Sequence, residues 1–263
     1  MRLSRRRFLV SLLALPFLPR AAGAAEPLRS AAYHAEIGVL FNLFSFTLDG
    51  GVEEQVDRRA GRYRVLVAGD GPGVENRIES EGLIRAGQFT PTSTALFFRI
   101  KGRESRTTVR YDYDQGLAHY RHRSQTFLLG RERLADDALK IPAGRPLDDI
   151  VTATLNYAEG VLPSDGQGTY ETFVIRRVRP KREGPDDVQA GRYRAELVPL
   201  RFTVTEDVES GRPVCLLDLT RFSSWATTGN PARVVFGPNR RPESIHASLM
   251  LGTSVLITFQ KAS

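Results

Sequence analysis

Cysteine and histidine are scarce in this chain of 263 residues, and their scarcity excludes several kinds of site. The single Cys215 rules out an internal disulfide, and its apolar neighbours predict a buried small hydrophobe. A nucleophilic cysteine would need a nearby histidine or a helix N-terminus, and the local sequence offers neither. His119 and His122 lie three apart on a predicted strand, so they point to opposite faces and cannot hold one metal ion. A metal site would need His34 or His246 to arrive from elsewhere, so no metal ion and no cofactor is predicted.

Catalytic motifs are also lacking. The glycines of residues 69–73 are followed by no Gly-Lys-Ser/Thr and no helix, which excludes a phosphate-binding loop. No serine lies in a nucleophile-elbow setting. Asp148, Asp149 and Glu159 fall on the polar face of a predicted helix, where capping and solvation explain them, whereas acid-base chemistry would require burial. We therefore predict a protein that is not an enzyme, and a hydrolase of envelope material is the alternative.

The positive charge is weaker than the whole sequence suggests. The chain carries 37 basic and 30 acidic residues, a net charge of +7. Five of the arginines lie within residues 1–24, a segment without acids that we expect to be removed, which leaves 32 basic residues and a net charge of +2. A nearly neutral protein exerts little long-range attraction on phosphate, so no nucleic-acid partner is predicted. The basic residues of 103–110 and 121–123 are explained as solvated outer faces of strands.

The N-terminal segment carries an export signal. Residues 4–9, with the paired Arg5 and Arg6, resemble the twin-arginine motif of serine, two arginines, any residue, phenylalanine and leucine. An apolar run of about 11 residues follows, which is short of the roughly 20 that span a membrane. Small residues place the cleavage site between Ala24 and Ala25. The resemblance implies a soluble bacterial periplasmic protein, exported by the twin-arginine translocase and then cleaved; the alternative is an uncleaved membrane anchor.

One stretch, residues 146–162, has a strong helical pattern. Its apolar side chains, including Leu147, Val151 and Leu155, fall on one side at about 100° per residue. The rest of the chain alternates apolar and polar residues in short runs, and a lone amphipathic helix needs a sheet to lie on. We predict one mainly β domain over residues 25–263: a curved antiparallel sheet or half-open β-barrel with one amphipathic helix inserted near residues 146–162.

Glycine and proline punctuate the predicted strands. Residues 49–51 indicate a turn or bulge, residues 81–82 a turn, and Pro91 a break. Residues 114–116 predict a hairpin turn between two strands. The polar stretch 179–187 predicts a solvated loop whose acids offset its bases.

Several segments together resemble a bacterial periplasmic family known as domain of unknown function 3108. They are residues 78–83 with 89–91, residues 111–114, residues 141–144 before the helix, and the hairpin that begins at Pro242. The resemblance covers about residues 31–260 and implies a fold like the half-open barrels of periplasmic lipoprotein carriers, in which a curved sheet and a helix enclose an apolar cavity. It identifies no active site. The bulky loop of residues 38–44 departs from the family pattern, which often has a small glycine turn there.

Phenylalanine is more frequent in the strands than one helix on a flat sheet requires. A closed sheet fills its interior with side chains or leaves room for one apolar ligand, so we predict a non-catalytic protein that binds a lipid or another apolar molecule. The candidate ligand-binding residues are Phe41, Phe44, Phe46, Phe89, Leu96, Phe98, Leu155 and Trp225. One alternative is that all of them are plain core. The other is an envelope structural or assembly protein whose loop at residues 41–44 docks a protein partner.

Overall fold

The structure, a computed structural model, describes residues 28–180, 183–184, 186–223 and 225–260. The predicted signal peptide, with Arg5, Arg6, Ala24 and Ala25, lies outside the described residues. No helix within the described ranges is long and apolar enough to cross a membrane.

The described chain forms 14 strands in one antiparallel sheet, one α-helix and one 3₁₀ turn. The strands are β1 (Arg29–Val39), β2 (Phe44–Asp57), β3 (Arg62–Gly71), β4 (Val74–Arg85), β5 (Gln88–Ile100), β6 (Arg103–Asp112), β7 (Leu117–Gln125), β8 (Glu132–Lys140), β9 (Thr169–Arg177), β10 (Ala195–Glu206), β11 (Pro213–Leu217), β12 (Ala232–Phe236), β13 (Pro242–Ser248) and β14 (Ser254–Phe259). The helix α1 is Ile150–Ala158, and the 3₁₀ turn is Met250–Gly252. The sheet runs from β8 back to β1, then from β14 back to β9. The prediction of a mainly β, curved antiparallel fold with one helix is confirmed.

Because all neighbouring strands are antiparallel, the loops that connect them lie at two opposite ends of the barrel. The helix end holds loops 58–61, 86–87, 113–116, 207–212 and 237–241 and the segment 141–168, which contains α1. The open end holds loops 40–43, 72–73, 101–102, 126–131, 178–194, 218–231 and 249–253.

The edge strand β8 meets the start of β10 without a full hydrogen-bonded ladder. The N–H of Tyr193, just before β10, donates to the Leu134 carbonyl oxygen at 2.7 Å. The N–H of Ala195 donates to Oδ2 of Asp137 at 3.0 Å. An apolar cluster that includes Tyr120 and Tyr193 fills the seam. Side-chain packing, rather than a continuous ladder of hydrogen bonds, therefore closes the sheet. The result is the half-open barrel that the sequence predicts.

The helix is shorter than the predicted 146–162. Asp149 is its N-cap, so the preceding residues are free to join the sheet, where the Asp148 N–H donates to the Phe173 carbonyl oxygen at 2.8 Å. At the other end, Gly160 has a φ of 74°, a left-handed conformation that ends a helix.

The helix closes its end of the barrel with two sets of contacts. Leu155 packs in one cluster with Tyr63 and Phe89. Tyr157 meets the rings of Tyr170, Phe202 and Phe236, with centroids 5.0, 5.8 and 4.7 Å away.

Two predicted chain reversals are wrong. Residues 49–51 lie within β2, and Gly50 is needed there because a Cβ would meet the Tyr33 ring at 2.5 Å. Residues 81–82 lie within β4, where Glu81 pairs with Ser93 and Gly82 with Pro91. The extra residue Thr92 therefore forms a β-bulge in β5, and Pro91 lies inside β5 rather than breaking it. The bulge gives proline, which has no N–H, a place in the sheet. The hairpin turn at 114–116 is confirmed.

Candidate functional site

A cavity of about 840 Å³ lies inside the barrel, and its mouth is at the open end, opposite the helix. Its wall is apolar where strands from both halves of the sheet face each other, and includes Ile37, Val109, Val174, Leu200, Val255 and Ile257. Its floor is the start of α1, where Asp148, Asp149 and Ile150 line the cavity. The volume falls in the range of small-molecule binding sites.

Three of the eight predicted ligand-binding residues line this cavity. Leu96 and Phe98 lie on the wall formed by β5. Trp225 lies near the open end, where its ring packs edge-on against Phe127 with centroids 5.9 Å apart. The structure therefore brings these three side chains to one surface that a ligand can reach.

The other five do not line the cavity. Phe89 and Leu155 are buried in the core at the helix end, and Phe46 is buried in a cluster with side chains of β1 and β2. Phe44 lies under the Lys101 ammonium, 3.1 Å from its ring centroid, and Phe41 is 79 % exposed. Strand alternation alone could not separate the side chains on the cavity wall from those packed at its closed end.

Asp149 caps the helix as predicted, but the prediction that it is solvated is wrong. The side chain is buried, and its Oδ1 accepts the N–H groups of Val151 and Thr152, both at 2.8 Å. Its Oδ2 accepts the hydroxyls of Ser80 at 2.6 Å and Thr94 at 2.5 Å. Hydroxyls from β4 and β5 thus fasten the first turn of the helix to the barrel wall.

Asp148 is buried as well. Its Oδ2 accepts the Thr172 hydroxyl at 2.6 Å, and its Oδ1 accepts Nδ2 of Asn156 at 3.0 Å. Asn156 also pairs with the Phe89 backbone, accepting its N–H at 2.8 Å and donating to its carbonyl at 2.9 Å. Both oxygens of each aspartate are therefore engaged in holding the helix.

Burial raises the pKa of Asp148 to about 6, and the nearby Asp149 contributes to the rise. The folded state thus binds this proton more tightly than the unfolded chain does, so ionising Asp148 opposes folding as the pH rises from about 4 to about 6. We expect Asp148→Asn to raise the free energy of unfolding at pH 7 by about 1–3 kcal/mol, because the amide fills the same space without a charge.

Urea unfolding of wild type and Asp148→Asn between pH 3.5 and 8 measures this effect. The stability difference should vanish below about pH 4, where the unfolded carboxyl is protonated too. The raised pKa of Asp148 would be contradicted if the variant were less stable than wild type at pH 7. It would also be contradicted if the stability difference did not change with pH.

Three arginines, one buried and two half-buried, surround Glu183, which corrects the predicted solvated loop at 179–187. Nη2 of Arg177 lies 2.7 Å from Oε2 of Glu183. Nε of Arg133 lies 3.6 Å from Oε1, and Nε of Arg179 lies 3.8 Å from Oε2. Glu183 is only 5 % exposed, and it also accepts the Tyr193 hydroxyl at 3.1 Å. The acid offsets the bases as predicted, but inside the protein rather than in solvent.

Arg103 is a second correction among the basic residues. Arg121 is exposed as predicted, whereas Arg103 lines the open end of the cavity. Sequence analysis also missed Arg176, Arg177 and Arg179 as cavity residues. The sequence signal that could have indicated them is the run of arginines at the end of the predicted strand 170–177.

The cysteine and the two neighbouring histidines considered in the sequence analysis lie where the sequence predicts. Burial raises the pKa of Cys215 to about 12, and the thiol packs beside Tyr157, as expected for a buried small hydrophobe. His119 is exposed while His122 lines the cavity, so the two do point to opposite faces. Within the described residues, no three His, Cys, Asp or Glu side chains are grouped to hold a metal ion.

Fold and cavity together define a half-open β-barrel with one end closed by a helix. No protein-family model matches the chain, and no curated protein matches it. Among solved structures, the chain is similar to a crystal structure described as a β-barrel-like protein of domain of unknown function DUF1849 from Brucella abortus, at 13 % identity and a TM-score of 0.44. The similarity covers 90 % of this chain and 98 % of that one. These values are too low to transfer any property to this chain.

Proposed function

We propose that this protein is a periplasmic, non-catalytic binding protein that holds a lipid or another apolar molecule inside the barrel. The observation that carries the proposal is the cavity of about 840 Å³, with an apolar wall, an open end and a floor made by the helix. Burying an apolar ligand there would remove hydrocarbon surface from water at about 25 cal/mol per Å². The location rests on the twin-arginine motif at Arg5 and Arg6.

The two ends of the cavity suggest how such a ligand would enter. The helix end is closed by the packing of Leu155 and Tyr157, and polar contacts from Asp149 tie the helix to the wall. Entry is therefore proposed through the open end, past Phe98 and Trp225, with the end of the ligand coming to rest near Ile150.

Ligand uptake by delipidated protein tests the proposal. The purified chain is stripped of bound lipid and titrated with a fatty acid, a phospholipid and an apolar fluorescent dye. We expect saturable binding of at least one of them, competed by the others. Absence of uptake of all three by folded protein would overturn the proposal.

An envelope assembly role is the second candidate, and the loop between β1 and β2 favours it. Phe41 and Leu43 are 79 % and 73 % exposed. Leu40, Phe41 and Asn42 all have positive φ, between 55° and 61°, a conformation that is uncommon for residues with side chains. A strained loop that presents two large apolar side chains to solvent suits a contact with another protein. A hydrolase has less support, because the carboxylates at the cavity floor are engaged in hydrogen bonds.

The double change Phe41→Ser with Leu43→Ser tests this second candidate. If the loop docks an envelope protein, the partner captured by wild type should be lost from the double variant, because its apolar contacts are gone. Val208→Ser is the matched control, since Val208 is fully exposed in the loop 207–212 at the opposite end. If the double variant kept every partner that wild type captures, the assembly role would be dropped.

A further inference from the structure

Arginine is concentrated at the open end of the cavity. Six arginines line it there: Arg103, Arg133, Arg176, Arg177, Arg179 and Arg221. The single carboxylate among the lining residues at this end is Glu104, and Arg106 holds it at 3.0 Å. The other two lining carboxylates, Asp148 and Asp149, lie at the floor. The cavity is thus apolar along its wall and cationic at its entrance.

The nearby carboxylates do not pair with all of these arginines. Glu183 serves three of the arginines, and Glu196 accepts Nη2 of Arg176 at 2.5 Å. Arg103 has no carboxylate within 4 Å among the described residues, and donates only long hydrogen bonds, at 3.4 and 3.5 Å, to the carbonyls of Phe127 and Leu128. Its guanidinium is therefore open to a stronger acceptor.

Buried donors that make no hydrogen bond lie beside this entrance. Within the described structure, Nε of Arg176 and Nε of Arg179 are buried and donate no hydrogen bond, and the hydroxyl of Thr253, which also lines the cavity, has no partner. Such groups are uncommon in folded proteins, and each of these three could donate a hydrogen bond to an acceptor bound at the entrance. Arg176 lies on the same side of β9 as Thr172 and Val174, which reach the helix and the cavity wall.

The pKa values of two neighbouring groups are lowered mainly by burial and further by the arginines. The pKa of His122 is lowered to about 4, first by burial and then by Arg177 and Arg133. Burial lowers the pKa of Arg179 as well, with Arg176 among the guanidiniums that add to the effect. An anion at the entrance would relieve this repulsion.

We propose that the ligand of the cavity is an amphiphile with an anionic carboxylate or phosphate headgroup, which Arg176 and Arg103 hold at the open end while its apolar chain fills the barrel. This inference rests on the proposed function and adds the class of ligand. A guanidinium fork matches the geometry of carboxylate and phosphate oxygens. The headgroup thereby fixes which end of the ligand stays at the entrance.

Matched probes separate the headgroup from the chain. Delipidated protein is titrated with dodecanoate, with dodecan-1-ol and with inorganic phosphate, near neutral pH. We expect dodecanoate to bind about tenfold or more tightly than the alcohol, as charge-assisted hydrogen bonds require, and phosphate alone to bind far more weakly than dodecanoate. Arg176→Gln and Arg103→Gln should each lower the affinity for dodecanoate more than the affinity for the alcohol, and so reduce the preference for dodecanoate.

Arg121→Gln is the control for loss of a positive charge, because Arg121 is exposed on the outer face of β7, and it should keep the full preference. Circular dichroism of each variant confirms folding, and Arg176→Lys, which keeps the charge without the fork, should retain part of the preference. Equal binding of dodecanoate and dodecan-1-ol would overturn the headgroup site and leave the apolar cavity standing. Phosphate binding as tight as dodecanoate would also overturn it, since the anion alone would then be the ligand. Binding of neither chain-bearing probe would overturn the proposed function itself.

Discussion

Asp149→Ala should lower the free energy of unfolding by about 3–5 kcal/mol, one of the largest effects of any single substitution in this protein. The carboxylate caps the helix through the N–H groups of Val151 and Thr152 and accepts the hydroxyls of Ser80 and Thr94. Alanine would leave all four donors without their acceptor in a buried place. Urea unfolding, monitored by circular dichroism, measures the loss of stability.

Asp165→Ala is the matched control for that substitution. Asp165 also accepts two backbone N–H groups, from Gln167 at 2.8 Å and Thr169 at 3.1 Å, but it does so in an exposed loop. Water can replace those bonds, so the control should lose far less stability than Asp149→Ala does. Equal losses in the two variants would show that burial of Asp149 does not set the effect.

Ile257→Trp should weaken the binding of an apolar fluorescent dye at least about tenfold, or by more than about 1.4 kcal/mol. Ile257 lies on the inner face of β14 and lines the cavity, so the larger side chain would occupy space that the ligand needs. Because the indole enters an existing cavity, we expect the fold to be retained. Dye titration and a thermal melt of the same preparations check both parts of this expectation.

Leu256→Trp makes the same change one residue away. Leu256 is exposed on the outer face of the same strand, so its affinity for the dye should remain close to that of wild type. If both variants bound the dye as tightly as wild type does, the dye would not occupy the cavity.

Strand alternation made the fold class predictable from sequence. Tyr33 and Ala35 share one parity in β1, and both are buried on the inner face. Residues 114–116 marked a hairpin that the structure contains. By contrast, β8 went undetected because its pattern is inverted: Arg133 and Ala135 face inward, while Leu134 faces outward. A charged residue on an inner face has no local signature when its partner, Glu183, is far away in sequence.

The orientation of the helix could not be predicted for a related reason. An apolar stripe is expected to face the core, yet Asp148, Asp149 and Asn156 are buried and Ile150 is 46 % exposed toward the cavity. The barrel interior supplies hydroxyls from Ser80, Thr94 and Thr172, which satisfy the polar groups of the helix. Only the register of strands far apart in sequence brings those hydroxyls together.

The candidate site was predictable in kind and only partly in its residues. An apolar interior follows from the excess of phenylalanine, and Leu96, Phe98 and Trp225 do line the cavity. Phe89 and Leu155 went instead to the core under the helix, because the helix fills one end of the barrel. The arginines at the entrance were hidden because their carboxylate partner lies in a loop that reads as solvated.

Non-denaturing mass spectrometry of the protein purified from its native cells tests the central claim, that the barrel holds an apolar ligand, most directly. The account predicts a reproducible mass above that of the chain beginning at Ala25, and an organic extract that releases the difference as a lipid with an acidic headgroup. Its Ile257→Trp variant, purified in the same way, should lack most of the extra mass. A bare chain mass in every wild-type preparation, together with no uptake of added lipid, would contradict the account and leave the exposed loop at Phe41 as the functional surface.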